Sequence, residues 1–212
     1  MKERKFDRKN RNSAKRKQRP VILIVAEGEN VTESQYFRHF LKPNSEFTIR
    51  MVAAKHVTDP GGMLETIQKK WHELDLDERK GDAAFIVVDM DCSGEKAKTI
   101  KALKQNSKGI QFIVSNPCFE VWFLLHFRYS TRSFINNNTV IRELRDYVPA
   151  YEKNMDIFSI IGDKTELAIE RTSQLQKYYE GLGYDWPSNN CNPYTDVPII
   201  IQKIKGLGVY RN

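Results

Sequence analysis

The stretch Pro20-Val21-Ile22-Leu23-Ile24-Val25-Ala26-Glu27-Gly28 decides the fold. Its apolar run is unbroken and β-branched at Val21, Ile22, Ile24 and Val25, so it reads as a strand buried on both faces. Such strands belong to parallel sheets covered by helices on either side. Glu27-Gly28-Glu29-Asn30 ends the run abruptly. The pattern recurs twice downstream. Ala83-Ala84-Phe85-Ile86-Val87-Val88 runs into Asp89-Met90-Asp91-Cys92-Ser93-Gly94. Ile110-Gln111-Phe112-Ile113-Val114-Ser115 runs into Asn116-Pro117-Cys118-Phe119-Glu120. Phe47, Ile49 and Met51 alternate with polar residues, as in a half-exposed strand.

Helical signals fill the gaps. Thr32-Glu33-Ser34-Gln35 has the spacing of a capping box, with Tyr36, Phe37, Phe40 and Leu41 as the apolar stripe behind it. Asp59-Pro60 reads as an N-cap and first-turn pair, leading Met63, Leu64, Ile67, Trp71 and Leu74 at three-to-four spacing. A Lys-rich helix follows Gly94 to about residue 105, and 121–127 is an apolar helix. Strand–helix alternation predicts an α/β fold over residues 20–128: a parallel sheet of about four strands, flanked by helices and joined by right-handed crossovers. From residue 129 the strand signal fades. Residues 139–147, 157–181 and 196–205 read as helices of a C-terminal extension (129–212) packed on that core.

The composition, 40% apolar and 29% charged over 212 residues, is that of an ordinary soluble globule. No run reaches the ~20 apolar residues of a membrane span, and the N-terminus lacks the apolar centre of a secretory signal. A cytoplasmic protein with no membrane partner is expected. The net charge of +7 is local: residues 1–19 hold ten Lys and Arg against Glu3 and Asp7, a net +8, and the remainder carries −1. This arm cannot bury enough surface to order itself. It reads as a disordered nucleic-acid-binding arm, with Arg16, Lys17 and Arg19 nearest the body, or as a solubilising, ribosome-sticky tail. Cys92, Cys118 and Cys191 lack disulfide or zinc-ligand spacing. His39, His56, His72 and His126 are scattered and read as surface or packing residues.

In an open parallel sheet, ligands bind beyond the carboxyl ends of the strands. Strand one delivers Glu27 there and strand three delivers Asp89 and Asp91. If those strands are neighbours, ~5 Å apart, their carboxylates crowd together and repel unless one is protonated or a cation sits among them. Mg²⁺ (or Mn²⁺) with oxygen ligands is the natural solution, leaving open positions for phosphate. Glu120, one turn beyond strand four, is placed either to complete a second metal shell or to favour a helix N-terminus. Asn116 either donates to a phosphate oxygen or merely terminates its strand. Asp-x-Asp after a strand also occurs in haloacid-dehalogenase-type phosphatases, though there it follows the first strand, and a lone Asp in that place is commonly a solvated turn residue. Trp122, Phe123 and Phe127 read as core rather than as base-stacking platforms.

Val25-Ala26-Glu27-Gly28, with Asp89-x-Asp91-x-x-Gly94, resembles the Toprim signature of topoisomerases, primases and related nucleases. That resemblance implies a general acid/base role for Glu27, possible metal contact included, and metal binding for the Asp pair. The chain more closely resembles the RloB-like family, a Toprim-related group associated with abortive phage infection. The residues that carry this are Glu27-Gly28, Thr32-Glu33, Tyr36-Phe37, Asp89-x-Asp91, Ser115 through Phe127, Tyr151-Glu152-Lys153 and Asn192-Pro193-Tyr194-Thr195. The resemblance implies a metal-dependent nuclease acting on DNA or RNA, the toxic effector of an antiviral system with a partner ATPase. It adds Glu33 to the metal residues, although the Glu27–Glu33 spacing is one residue longer than the family pattern. It makes Lys153 the residue that neutralises phosphorane charge. The rival expectations are a non-enzymatic or conditionally active nucleic-acid-binding subunit and a small-molecule phosphatase.

Overall fold

The structure, a computed structural model, describes residues 19–28, 31–53, 57–107 and 109–208. The arm expected over residues 1–19, Arg16 and Lys17 included, lies outside the described residues except for Arg19, which is exposed.

The apolar runs form the sheet. Strands β1 (Val21–Ala26), β2 (Thr48–Val52), β3 (Ala83–Asp89) and β4 (Ile110–Asn116) are parallel, and β5 (Tyr194–Thr195) pairs antiparallel with β4. Their order is β2-β1-β3-β4-β5. The fold is thus the expected α/β arrangement, compatible with a Toprim-like sheet. β5 is an addition to the four strands read from the sequence: two residues carry no periodicity, and only their pairing with Ser115 and Asn116 makes them a strand. Every residue of β1 is buried, because alternate side chains enter opposite cores. Ile22, Ile24, Phe85, Val87 and Ile113 face one cluster, and Leu23, Val25, Ile86, Val88 and Val114 face the other.

The second cluster is closed by α2 (Pro60–Glu73) and α3 (Gly94–Lys104). As expected, Asp59 caps α2, its carboxylate accepting from the Gly62 N–H at 2.8 Å. The first cluster is closed by α1 (Val31–Arg38), α4 (Glu120–Leu125), α5 (Asn137–Leu144), α7 (Thr165–Gly181) and α8 (Val197–Gly208). α4 is buried all round, so its sequence shows no polar face. The segment 157–181, read as one helix, is broken. A short α6 (Phe158–Ile161) passes through a 3₁₀ turn at Gly162–Lys164 before α7 begins.

The capping box expected at Thr32 does not form. α1 already starts at Val31, and the Thr32 hydroxyl instead accepts from the Asn154 N–H (3.2 Å) and donates to Asn154 Oδ1 (3.3 Å). That long-range pair outcompetes the local cap and draws the loop carrying Lys153 over the start of α1.

Strand order reverses direction between β1 and β3: α1 crosses on one face, α2 and α3 on the other. The two chain crossings diverge at that point and leave a crevice beyond the carboxyl ends. Glu27 and Asp89 both stand there.

Candidate active site

A cleft of about 460 Å³ opens at this switch point, lined among others by Glu27, Glu33, Asp89, Asp91, Glu120 and Lys153. Six residues singled out in the sequence therefore meet in one place. Each is delivered by a different local device. Gly28, at φ 70°, turns the chain out of β1 immediately after Glu27. Asp89 ends β3, and its Oδ1 accepts from the Phe119 N–H at 2.8 Å, which ties the strand end to the entry of α4. Asp91 and Cys92 both adopt left-handed backbone, φ 52° and 57°, and this tight turn points Asp91 back toward the cleft. Glu120 opens α4, is 3% exposed, and accepts from the Tyr151 hydroxyl at 3.3 Å.

The Lys96 ammonium lies between two of the acids, 2.9 Å from Glu27 Oε2 and 2.9 Å from Asp91 Oδ2. The two oxygens are consequently no more than twice that distance apart, well within the span of one cation's shells. Asn137 donates to Asp91 Oδ1 at 2.7 Å, while its own Oδ1 is buried with no hydrogen-bond partner among the described residues.

The carboxylates stand close enough to raise one another's pKa. Asp89 is held well above the usual carboxylate range by burial first, then by the charges of Glu120, Glu33, Asp91 and Glu27. Glu33 is pushed up to about 7, chiefly by burial, with Glu120 and Glu27 adding and Lys153 opposing. Burial works against the charge of Lys153, yet Glu120, Asp89 and Glu33 more than offset it and its pKa is raised. Lys96 behaves likewise: burial opposes its charge, and its bonds to Glu27 and Asp91 prevail.

Other expectations are placed elsewhere. Asn116 is fully buried and does not line the cleft; its amide donates to the Cys191 carbonyl at 2.8 Å, so it stitches β4 to the segment before β5. Arg19 precedes β1 and stands at the opposite end of that strand from Glu27. Trp122 and Phe123 are core. His126 is buried, with Nδ1 bonded to the Trp122 carbonyl at 2.8 Å and a pKa lowered to about 4 by burial. His56 lies outside the described residues. The three cysteines are free.

Lys96, Asn137 and Asn154 were missed. Lys96 had a signal: it falls in the first turn of the helix that follows Asp91-x-x-Gly94. Asn137 and Asn154 had none, since they reach the cleft only through tertiary folding.

The donor set, carboxylate oxygens with an amide oxygen nearby, is chemically suited to a hard divalent cation. Among the described residues no three His, Cys, Asp or Glu side chains stand preassembled around one point. A cation already occupies the position between Glu27 and Asp91, and it is the Lys96 ammonium.

A mostly parallel sheet whose order reverses under an acidic cleft defines the class: an α/β protein with a candidate site at the carboxyl rim. A family model described as RloB-like protein matches residues 22–204, and the chain belongs to that family. Comparison with curated proteins and with solved structures found no match. No helix among the described residues is long and apolar enough to cross a membrane.

Proposed function

We propose that this protein is a Mg²⁺- or Mn²⁺-dependent phosphodiester hydrolase acting on DNA or RNA, the effector of an antiphage system that works with a partner ATPase. The observation that carries the chemistry is the gathering of five carboxylates and Lys153 at one switch-point cleft. The defence role and the ATPase rest only on what the resemblance to the RloB-like family implies.

Asp89, Asp91 and Glu120 would hold the cation, with Glu27 and Glu33 beside them. Bound there, a divalent cation would polarise the phosphoryl oxygen and orient a water for attack. The chain's own groups do the rest. Lys153, kept charged by its acidic neighbours, stabilises negative charge growing on the non-bridging oxygens. Glu27, beside the cation, would act as acid/base or as a further ligand. Tyr151 fixes the Glu120 carboxylate through its hydroxyl.

One observation also favours a conditionally active subunit: Lys96 neutralises Glu27 and Asp91 in the isolated chain. The test is cleavage of plasmid DNA, tRNA and single-stranded RNA with Mn²⁺, comparing the wild type with Asp89→Asn. Loss of cleavage in the variant supports hydrolysis at this cleft. Binding without cleavage until an ATPase is added supports the conditional reading. Turnover of a sugar phosphate instead would favour a phosphatase and end the nuclease proposal.

A further inference from the structure

A second cavity, about 430 Å³, opens between α7, α8 and β5 and shares no lining residue with the acidic cleft. Its volume is that of a small-molecule site. The walls are aromatic. Trp186 and Tyr194 lie 4.5 Å apart between ring centroids with planes 64° apart, and Tyr179 meets Tyr194 at 6.4 Å and 83°. Tyr184, also in the lining, lies 6.5 Å from Tyr179 with planes 28° apart, so both ring edges and ring faces border the cavity.

Asp196 completes the lining. It is 6% exposed and forms no ion pair among the described residues. Its Oδ2 accepts from the Trp186 indole N–H at 2.8 Å and the Val114 N–H at 3.2 Å. Its Oδ1 accepts no hydrogen bond among the described residues. Oδ1 is not sealed off like the buried unpartnered atoms of the core, so it is the carboxylate oxygen free to accept from a ligand in the cavity. Burial holds the Asp196 carboxyl above its usual range, with the charge of Lys104 only partly opposing.

Charge selects the ligand. Glu180 and Asp185 also line the cavity, and no Lys, Arg or His does. Phosphate-bearing ligands are repelled. A cation with N–H donors is attracted by the carboxylate, and aromatic faces favour it further.

We propose that this cavity binds an organic cation, an ammonium or guanidinium group, with Asp196 Oδ1 as its acceptor and Tyr179, Trp186 and Tyr194 as its walls. The group belongs either to a free amine or to an arginine side chain of a peptide. The proposal is independent of the chemistry assigned to the acidic cleft.

Isothermal titration of the full chain with agmatine, spermidine, N-acetylarginine amide and AMP tests it. At least one cationic probe should bind saturably while AMP does not. Agmatine or spermidine alone identifies a free-amine site, and the arginine amide alone a peptide site. Asp196→Asn should weaken binding by about tenfold or more, the worth of a charged hydrogen bond. Asp185→Asn, an exposed change that leaves the core intact, should weaken it by about threefold. Failure of every cationic probe to bind overturns the proposal. So does preferential binding of AMP, or undiminished affinity in both variants.

Discussion

The Lys96 ammonium is the residue on which the state of the acidic cleft turns. It is 16% exposed and bonded to both Glu27 and Asp91, so a cation arriving there competes with it. Lys96→Met removes the competitor and leaves the carboxylates uncompensated. Mn²⁺ affinity, measured by calorimetry, should rise about tenfold, equivalent to ~1.4 kcal/mol, while metal-free stability to urea falls by about 1 kcal/mol. Equal Mn²⁺ affinity in wild type and variant would mean that Lys96 does not guard the site. Glu33 yields a prediction of opposite sense. Its carboxyl is raised from 4.5 to about 7 on folding, so the folded state holds the proton more tightly than the unfolded chain does. Its contribution to stability is intact below pH 4.5, declines as pH rises, and is lost above about 7, a penalty of ~3 kcal/mol. Glu33→Gln should therefore match the wild type near pH 4 and exceed it by about 2–3 kcal/mol at pH 8. Urea midpoints across that range check it; a constant difference would place the raised pKa elsewhere.

At the scale of elements, the turn from β1 into α1 sets where Glu27 points. Gly28 sits at φ 70°, and a Cβ added there meets nothing within 4 Å. The cost of Gly28→Ala is thus conformational alone, about 1–2 kcal/mol by urea unfolding. Gly28→Asn should cost less, because Asn tolerates the left-handed region. If both variants are as stable as the wild type, the turn is not confined to that conformation. What the sequence revealed of these elements follows from how local each signal is. β1, β3 and β4 were legible because strands buried on both faces are apolar throughout, and α2 because Asp59-Pro60 is a local cap. The carboxylates were legible because each directly follows such a strand. β5 was not, since its two residues acquire strand character only by pairing with Ser115 and Asn116. The cap at Thr32 misled because Asn154, 122 residues away, captures the hydroxyl. Asn137 was hidden for the same reason, while Lys96 was merely overlooked among the other lysines of α3.

For the molecule as a whole, Arg19, the one described residue of the basic segment, and the acidic cleft stand at opposite ends of β1. Arg19 enters β1 and Glu27 leaves it, so a six-residue strand, ~20 Å long, separates the root of the basic segment from the acids. The remainder of the chain carries a net −1, the same sign as a polyanion and no source of attraction for one, and its cleft repels one until a cation is bound. Recruitment and chemistry are therefore expected to be separable. Deleting residues 1–19 removes a net +8, which should weaken nucleic-acid binding and flatten the slope of log K against log salt by up to about 7. Cleavage at saturating substrate should change little, because no group of the cleft is lost. Asp89→Asn should do the reverse, preserving the salt slope and abolishing turnover. Fluorescence anisotropy at several salt concentrations, paired with single-turnover cleavage, separates the two effects. A deletion that leaves the salt slope intact would assign recruitment to the folded body, and one that abolishes saturated turnover would place the basic segment inside the reaction itself.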